Sequence, residues 1–395
     1  MMSEIKDVKP LVRALVPWLI KIRRDLHMYP EHSTEEKETQ RKVISYLEEM
    51  GIPYQTFPDH YGVLGILQGA HPGKTVALRA DMDALPLEDL KETAYRSQVK
   101  GVCHACGHDA HTTILLGAAR ILKQLTPALK GSIKLIFQPA EETIGGALPM
   151  IQQGVLENPK VDAIFGLHVS PEIPVGKIGI KYDQMNGASD EVAITIQGKS
   201  THGAYPQNGV DAIVIAAQTI SMLQTLVSRN VDPREAAVLT LGLIQGGTQE
   251  NIVAQKVIIK GTLRTVDPAI RNNSHRRIEE VVEHTTKALG GTGSVTITKG
   301  YSPLINNDAM VEVVRKNAGA LLGEAQIEVL KKVSLGVEDF AFFLEAVPGA
   351  FYRLGSGNPQ RGIIHPAHSG YFDIDEDCLE IGVLLQVANV LESLK

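Results

Sequence analysis

The sequence has few cysteines, few aromatic residues and no excess of basic charge. Only 3 of its 395 residues are cysteine, 1 is tryptophan, and aromatic residues make up 5%. Three cysteines cannot form a disulfide framework, and their scarcity is typical of a reducing compartment. Lys and Arg number 39 against 45 Asp and Glu, a net charge of −6. We therefore expect no nucleic-acid partner and no contact with an anionic membrane surface.

Long hydrophobic runs and a leader pattern are also missing. No stretch approaches the ~18 to 20 uninterrupted apolar residues of a membrane span. The first ten residues mix acids and bases around no apolar centre, unlike a secretory or transit peptide. With 44% hydrophobic and 21% charged residues, the composition is that of a globular protein. We expect a soluble, cytoplasmic protein of two or three domains at roughly 150 residues each.

Periodicity predicts an α/β domain in the first part of the chain. Two amphipathic helices are expected within residues 6–50, the second opening at Ser33 with Glu36 three residues on, a capping-box pattern. Residues 63–167 alternate between helical runs and short runs rich in Val, Ile and Phe. Such alternation is typical of α/β domains with a mostly parallel sheet.

Residues 187–300 have a pattern of their own. Strands and helices are predicted in the order β-α-β-β-α-β, which is a ferredoxin-like unit. Its strands alternate apolar and polar side chains, so one face should pack on helices and the other should be exposed. Helical runs return after Tyr301. The simplest architecture is a discontinuous α/β domain of residues 1–186 and 301–395, with an α+β domain inserted into it.

Acidic side chains and a histidine follow three predicted strands of the large domain. The strands are expected at Thr75–Leu78, Ile133–Phe137 and Ala163–Leu167. The groups just beyond them are Asp81, Asp83, Glu141, Glu142 and His168. Sites in open α/β sheets form outside the carboxyl ends of the strands. These side chains are therefore expected at one rim of the sheet.

The densest group of potential ligands is GVCHACGHDAH, which ends at His111. Cys106 and His108 are two apart, so they can face one ion only from an extended segment or loop. Thiolate and imidazole are good ligands for zinc and similar metals. Three alternatives remain: a structural zinc site with Cys103, Cys106 as a nucleophile, and surface histidines at His104 or His111.

Two further segments carry candidate groups. Pro139 cannot continue a central strand, so Glu141 and Glu142 should lie on a turn. Near a cation one carboxylate can bind metal while the other takes a proton from water; a solvated acidic pair is the alternative. In HPAHSGYF, His365 and His368 lie in a Gly/Pro-bounded loop, and either could complete a metal site.

The chain resembles the amidohydrolase branch of the aminoacylase/carboxypeptidase two-metal metallopeptidases, through the ordered motifs RADMDALP, CHACGHDAH, QPAEE, GLH and HSGYF. This branch includes N-acyl-amino-acid amidohydrolases, hippurate hydrolases and auxin-conjugate hydrolases. The resemblance covers nearly the whole chain. It implies a zinc-exopeptidase-like catalytic domain, an inserted lid and dimerisation domain, and a homodimer or higher homo-oligomer.

The resemblance also implies roles for individual residues. Two divalent metal ions, zinc or else manganese, cobalt or nickel, would be held by Cys106, His108, Glu142, His168 and His368, with Cys106 bridging. The other implied roles are Glu141 as general base and then acid, His202 for the oxyanion, Asn251 and Arg264 for the substrate carboxylate or the oxyanion, and Asp81 and Asp83 to orient the site. The family motif favours His368 over His365, although Gly370 stands where the family has proline.

The function that follows is hydrolysis of the amide bond of N-acyl amino acids by a metal-activated water. A metallo-carboxypeptidase or dipeptidase with the same site is the alternative among enzymes, and its substrate would be a short peptide. A metal- or ligand-binding protein without catalysis is the alternative from another class. The full set of strand-end acids argues against it, because a binding protein needs no general base.

Overall fold

The computed structural model describes residues 2–395, with side chains from Val8 onward. Its contacts divide the chain into two compact units. Unit 1 comprises Met1–Met185, Ile305–Lys332 and Asp339–Lys395. Unit 2 comprises Asn186–Leu304 and Val333–Glu338.

Unit 1 is built on an eight-stranded sheet. In spatial order its strands are β1 (Tyr54–Thr56), β2 (Val63–Gln68), β4 (Lys130–Gln138), β3 (His71–Asp81), β5 (Ala163–Pro174), β14 (Gly349–Gly357), β6 (Ile178–Ile180) and β13 (Ile327–Val329). The central run β4-β3-β5-β14 is parallel, and antiparallel pairs lie nearer the edges. The predicted α/β fold with a mostly parallel sheet is confirmed.

Helices cover this sheet because its central strands are apolar on both faces. They are α1 (Met2–Met28), α2 (Lys37–Glu49), α3 (His108–Leu125), α4 (Ala147–Gln152), α7 (Asp308–Leu322), α8 (Phe340–Ala346) and α9 (Asp377–Ser393). Helices α1, α3 and α9 pack on one another, and α3 and α9 also pack on β3. In β4, all eight residues from Gly131 to Gln138 are buried. The carboxyl ends of these strands therefore emerge from a buried core.

The start of α2 differs from the prediction. The helix begins at Lys37, and Glu36 makes no side-chain capping bond. Two amides of the first turn bond instead to the Glu31 carboxylate, at 3.0 and 2.7 Å. The capping box predicted from Ser33 and Glu36 is therefore wrong. The Glu31 carboxylate binds the amides at the helix start, so the side chains of Ser33 and Glu36 bond to other partners.

Unit 2 has the predicted order of elements, β8 (Ala188–Gln197), α5 (Ala212–Asn230), β9 (Ala237–Gly246), β10 (Lys256–Thr265), α6 (Pro268–Ala288) and β11 (Thr292–Lys299). The strands form an antiparallel sheet in the order β11-β8-β10-β9. Buried Val192, Ile194 and Ile196 alternate with more exposed neighbours, so one face packs on α5 and α6. The short strands β7 (Gln184–Asn186) and β12 (Leu304–Ile305) pair where the chain passes between the units.

Residues 333–338 belong to unit 2, although the sequence placed them in the large domain. The Leu335 carbonyl accepts a hydrogen bond from Arg264 Nη1 at 2.8 Å, and the Ser334 carbonyl accepts one from Gly187 N, also at 2.8 Å. These bonds join segments that are far apart in the chain, and local sequence patterns cannot predict such contacts.

One helix, α5, is long and apolar enough to cross a membrane by length and composition alone, and no other helix within residues 2–395 meets that test. Helix α5 packs buried residues such as Ile215, Leu223 and Leu226 into the core of unit 2. A helix packed in this way passes the same test, so the finding is weak evidence for a membrane span.

Candidate metal centre

Cys106 and His108 are brought side by side by a turn at the start of α3. Gly107 precedes the helix in a left-handed conformation with φ of +89°, and His108 is the first helical residue. A Cβ atom at position 107 would lie 2.2 Å from Val169 Cγ2. Glycine is therefore required here both for its backbone angles and for its lack of a side chain.

The potential ligand atoms form two overlapping groups. In one, the ligand atoms of Cys106, His108 and His168 all lie within 4.8 Å of one another; in the other, those of Cys106, Glu142 and His368 do. Cys106 Sγ lies 3.3 Å from His168 Nε2, and His368 Nε2 lies 3.3 Å from Glu142 Oε1. The structure thus brings together the five residues predicted as ligands, with Cys106 common to both groups.

Glu141 and Glu142 lie on the turn that follows β4. Together with His108 they form a third group whose ligand atoms lie within 4.8 Å of one another. Glu141 is only 7% exposed, and Glu142 Oε1 is buried. The alternative of a solvated acidic pair is therefore wrong, because the turn folds both carboxylates into the site.

Asp83 connects this turn to His108. Its carbonyl oxygen and Oδ1 lie 2.9 and 3.2 Å from His108 Nδ1. Its Oδ2 accepts hydrogen bonds from Glu142 N at 3.0 Å and from Ser33 Oγ at 2.6 Å. Burial opposes its ionisation, yet the bonds and charge of His108 and the bond from Ser33 hold the pKa of Asp83 below its usual value. Because Nδ1 of His108 is engaged, Nε2 is left for an ion.

Asp81, which is also ion-paired with Arg79, contacts a histidine to which the sequence assigned no role. Its Oδ1 lies 2.6 Å from His111 Nδ1, and His111 Nε2 accepts a hydrogen bond from Val169 N at 2.9 Å. The Val169 carbonyl in turn lies 2.7 Å from His168 Nδ1. The other ring nitrogen of His168, Nε2, therefore faces Cys106. Both nitrogens of His111 are engaged, so it orients a neighbouring histidine and is not a free ligand.

The surface interpretation of His104 and His111 is wrong, since they are 1% and 2% exposed. His108 to His111 form the first turn of α3, and this helix lies in the core of unit 1. Burial lowers the pKa of His104 to about 3. The presence of several histidines in a short segment could have indicated the role of His111, but its partners Asp81 and Val169 are distant in sequence.

The donor set fits divalent cations. Burial lowers the pKa of His168 well below its ordinary value and so maintains the neutral imidazole that binds metal. Burial acts in the same direction on His108, but Asp81 and Asp83 raise its pKa well above the ordinary value, so positive charge is stabilised at this point. Of the five candidate ligands, two have a buried atom that makes no hydrogen bond within the described residues, namely His108 Nε2 and Glu142 Oε1, as atoms that bind an ion would.

Cys103 belongs to a different buried group, with His27 and Asp89. The two nitrogens of His27 lie 2.7 Å from an oxygen of Asp109 and 3.2 Å from one of Asp89. Lys91 Nζ lies 3.1 Å from both His27 Nε2 and Asp89 Oδ1. Burial raises the pKa of Cys103 to about 12. A protonated thiol beside a lysine ammonium is a poor zinc site, so the structure does not favour pairing Cys103 with Cys106.

His368, and not His365, lies among the donor atoms. His368 has φ of +63°, whereas the His365 ring packs on Tyr371 with centroids 5.3 Å apart. The glycine that replaces the family's proline also has a local reason, because a Cβ atom at Gly370 would lie 2.6 Å from the Glu88 carbonyl oxygen.

Two of the remaining predicted residues, His202 and Asn251, lie together in unit 2. Their loops are joined by a hydrogen bond of 2.8 Å from Gly203 N to the Asn251 carbonyl. The exposed His202 ring accepts a hydrogen bond at Nδ1 from Ala204 N, at 3.0 Å. In the neutral ring the proton is then on Nε2, which can donate a hydrogen bond.

Arg264 lies at the other end of strand β10 from these loops. It follows Lys256, the first residue of the strand, by eight positions, a span of roughly 26 Å at about 3.3 Å per residue. The loops of His202 and Asn251 join the sheet at the Lys256 end, where Gly198 N bonds to the Gln255 carbonyl. Within one chain, Arg264 and Asn251 are therefore too far apart to share one small carboxylate.

A donor cluster at the strand ends of a parallel sheet, together with a ferredoxin-like second unit, defines a two-domain metallohydrolase of the exopeptidase type. Comparison with known proteins identifies the family. The family model for Peptidase family M20/M25/M40 matches residues 77–391, and the chain belongs to this family.

Individual relatives agree with this assignment. The chain is 42% identical over 362 residues to N-acetyl-L-cysteine deacetylase from Bacillus subtilis (strain 168), covering 91% of this chain and 84% of that protein. It is 36% identical over 389 residues to thermostable carboxypeptidase 1 from Saccharolobus solfataricus, covering 97% of each. A crystal structure of a dinuclear metal-binding M20 peptidase from Bacillus subtilis superposes with a TM-score of 0.83, at 32% identity over 97% of this chain and 99% of that one.

Proposed function

We propose that this protein hydrolyses the amide bond of N-acyl amino acids at a site for two divalent metal ions. The observation that carries the proposal is the enclosed Glu141 carboxylate beside the donor groups that share Cys106. Five other residues supply ligand atoms, so this carboxylate remains for proton transfer. A protein that only binds metal has no use for such a group.

The ions would be held by the side chains of Cys106, His108, Glu142, His168 and His368, with Cys106 as the shared ligand. Zinc is our choice, because thiolate and imidazole suit it, although manganese, cobalt and nickel also accept mixed N, O and S ligands. When bound, such ions polarise a scissile carbonyl and make a water molecule more acidic. Asp83 fixes the His108 ring, and Asp81 fixes His168 through His111 and the Val169 peptide.

Glu141 performs the proton transfers. Its carboxylate takes a proton from the attacking water and then delivers it to the nitrogen of the departing amine. For the developing oxyanion we assign His202, whose Nε2 carries the proton in the tautomer described above. Asn251 and Arg264 would bind the free α-carboxylate of the substrate.

Two kinds of relative bear on the substrate. One relative is named as a deacetylase of an N-acetyl amino acid and another as a carboxypeptidase. We favour N-acyl amino acids as substrates, because this chain is more similar in sequence to the deacetylase than to the carboxypeptidase. Short peptides remain the alternative substrates for the same site. Both classes carry a free α-carboxylate next to the amide.

A substrate panel tests this proposal. We expect the metal-loaded enzyme to hydrolyse N-acetyl-methionine, N-acetyl-cysteine or hippurate faster than dipeptides, and to lose most activity on the corresponding methyl amides, which lack the carboxylate. The measurement is kcat/KM for each free acid and its amide. Faster cleavage of dipeptides would favour the peptidase alternative, and no turnover of any member would contradict the proposed function.

The separation of Arg264 from Asn251 supports a homodimer whose active sites combine residues of both chains. Strand β9 lies at an edge of the sheet in unit 2, and its Leu243 and Ile244 are exposed. Helix α5 packs beside it and exposes Val214 as well. An unpaired edge next to apolar side chains is a plausible dimer surface.

Mixing two variants tests the shared site. We expect Asn251→Ala and Arg264→Ala each to lose most activity, since each removes a carboxylate contact. If both residues serve one site from different chains, random reassembly of an equal mixture should restore roughly a quarter of the wild-type activity, because half the dimers are mixed and each has one intact site. No recovery after verified subunit exchange would contradict sharing. A wild-type sedimentation mass equal to the monomer would contradict the dimer.

We place the protein in the cytoplasm. Its three cysteines are free buried thiols, as suits a reducing compartment. Recovery of the native protein in a membrane or secreted fraction would contradict this placement.

A further inference from the structure

Ser33 and Glu36, which fail to cap α2, reach the turn that carries the two active-site acids. We name residues 140–142 the acid turn. Glu36 Oε1 accepts a hydrogen bond from Ala140 N at 2.8 Å. Ser33 Oγ donates to Asp83 Oδ2, the same oxygen that accepts Glu142 N. One segment before α2 therefore supports both ends of the acid turn, directly or through Asp83.

The backbone at the start of the acid turn requires such support. Ala140 has φ of +57°, in the left-handed region that residues with a Cβ atom rarely adopt. The same Glu36 oxygen also accepts Thr34 N at 3.0 Å, and Thr34 has φ of +71°. One fully buried carboxylate oxygen thus holds two left-handed residues on separate segments. Such conformations persist where surrounding groups fix them.

We propose that Glu36 is a positioning residue for the general base, holding the Ala140 peptide so that the next side chain, Glu141, points to the reacting water. The proposal rests on the proposed function for the role of Glu141. Without Glu36, Ala140 can relax to a negative φ, which redirects the side chain that follows. The backbone N–H of Glu142, a proposed metal ligand, keeps its hydrogen bond to Asp83, so metal binding and substrate affinity should change little.

Three variants separate positioning from general stability. Glu36→Gln retains a carbonyl oxygen that can accept both amide hydrogens, whereas Glu36→Ala removes it. Glu31→Ala is the matched control, because it removes the true cap of α2 and leaves the acid turn alone. We expect Glu36→Ala to lower kcat by about 10- to 100-fold, the cost of a small misplacement of a catalytic group. KM and metal content should stay near wild type, and Glu36→Gln and Glu31→Ala should retain most of kcat.

Hydrogen exchange provides a readout that does not depend on activity. We expect faster exchange of the peptide that spans the acid turn in Glu36→Ala, and wild-type protection in Glu36→Gln and Glu31→Ala. If the wild type cleaves no member of the substrate panel, the proposed function fails while this comparison still decides the inference. Unchanged kcat or unchanged exchange in Glu36→Ala would overturn it, as would an equal loss of kcat in Glu31→Ala.

The Ser33 hydroxyl gives a second test should Glu36→Ala fail to fold. Ser33→Ala removes only one hydrogen bond to Asp83 and keeps the segment otherwise intact. We expect a lower kcat at unchanged KM and metal content, together with faster exchange at Glu142. Wild-type kcat and exchange in this variant would overturn the role of the segment.

Discussion

Replacing Glu141 by glutamine should lower kcat by roughly 10³-fold, within the range that general acid–base catalysis contributes. The amide keeps the size of the side chain but can neither take a proton from water nor return it to the leaving nitrogen. Because the five proposed ligands are other residues, the variant should retain the wild-type metal content. The measurements are steady-state kinetics on the best N-acyl amino acid and metal analysis of the same sample.

Two comparisons make this result specific. Glu142→Gln should lose metal as well as activity, since its carboxylate lies in the group with Cys106 and His368. Glu328→Gln removes an exposed acid of the short strand β13 and should change neither. If Glu141→Gln keeps its metal and hydrolyses substrate at the wild-type rate, the assignment of the general base is wrong.

Cys106→Ala is expected to have the second large effect. It removes the one ligand atom common to both donor groups, so the affinity for metal should fall by more than the 10- to 100-fold typical for loss of a residue that merely orients a ligand. Cys106→Asp should recover part of the activity, because a carboxylate can also bind two cations. Metal titration and kcat/KM measure both effects.

Cys103→Ala is the matched control, since Cys103 is buried nearby and lies in a different group. It should retain metal and activity. A Cys106→Ala enzyme that still binds two metal ions per chain with wild-type affinity would contradict the shared-ligand role. Loss of activity in that variant with full metal content would favour the alternative of a nucleophilic thiol.

Much of the site could be predicted because parallel strands place their carboxyl ends at one edge. Asp83 and Glu142, which follow β3 and β4, therefore lie close together, and His168 joins them from within the longer strand β5, two residues beyond its last pairing with β3. Gly107 likewise predicts a turn from its residue type alone, because glycine tolerates positive φ angles. The observed φ of +89° agrees with this prediction. Local rules of this kind need no knowledge of distant contacts.

Other assignments failed because the deciding partner is far away in sequence. Ser33 and Glu36 match a capping box, but the Glu36 carboxylate bonds to an amide 104 residues later. His111 resembles a surface histidine in the pattern and instead joins Asp81 to the Val169 peptide. The separation of Arg264 from Asn251 also depends on the strand register of unit 2, which residue types alone do not give; the roles of these two residues remain predictions.

The sequence by itself determined the mixed α/β fold, the inserted ferredoxin-like unit and the chemical types of the candidate ligands, because periodicity and side-chain chemistry are local properties. The tertiary structure decided which groups hold the acid turn, which histidine orients His168, and that His368 lies among the donor atoms. These outcomes depend on hydrogen bonds and close packing between segments that approach one another only when the chain is folded.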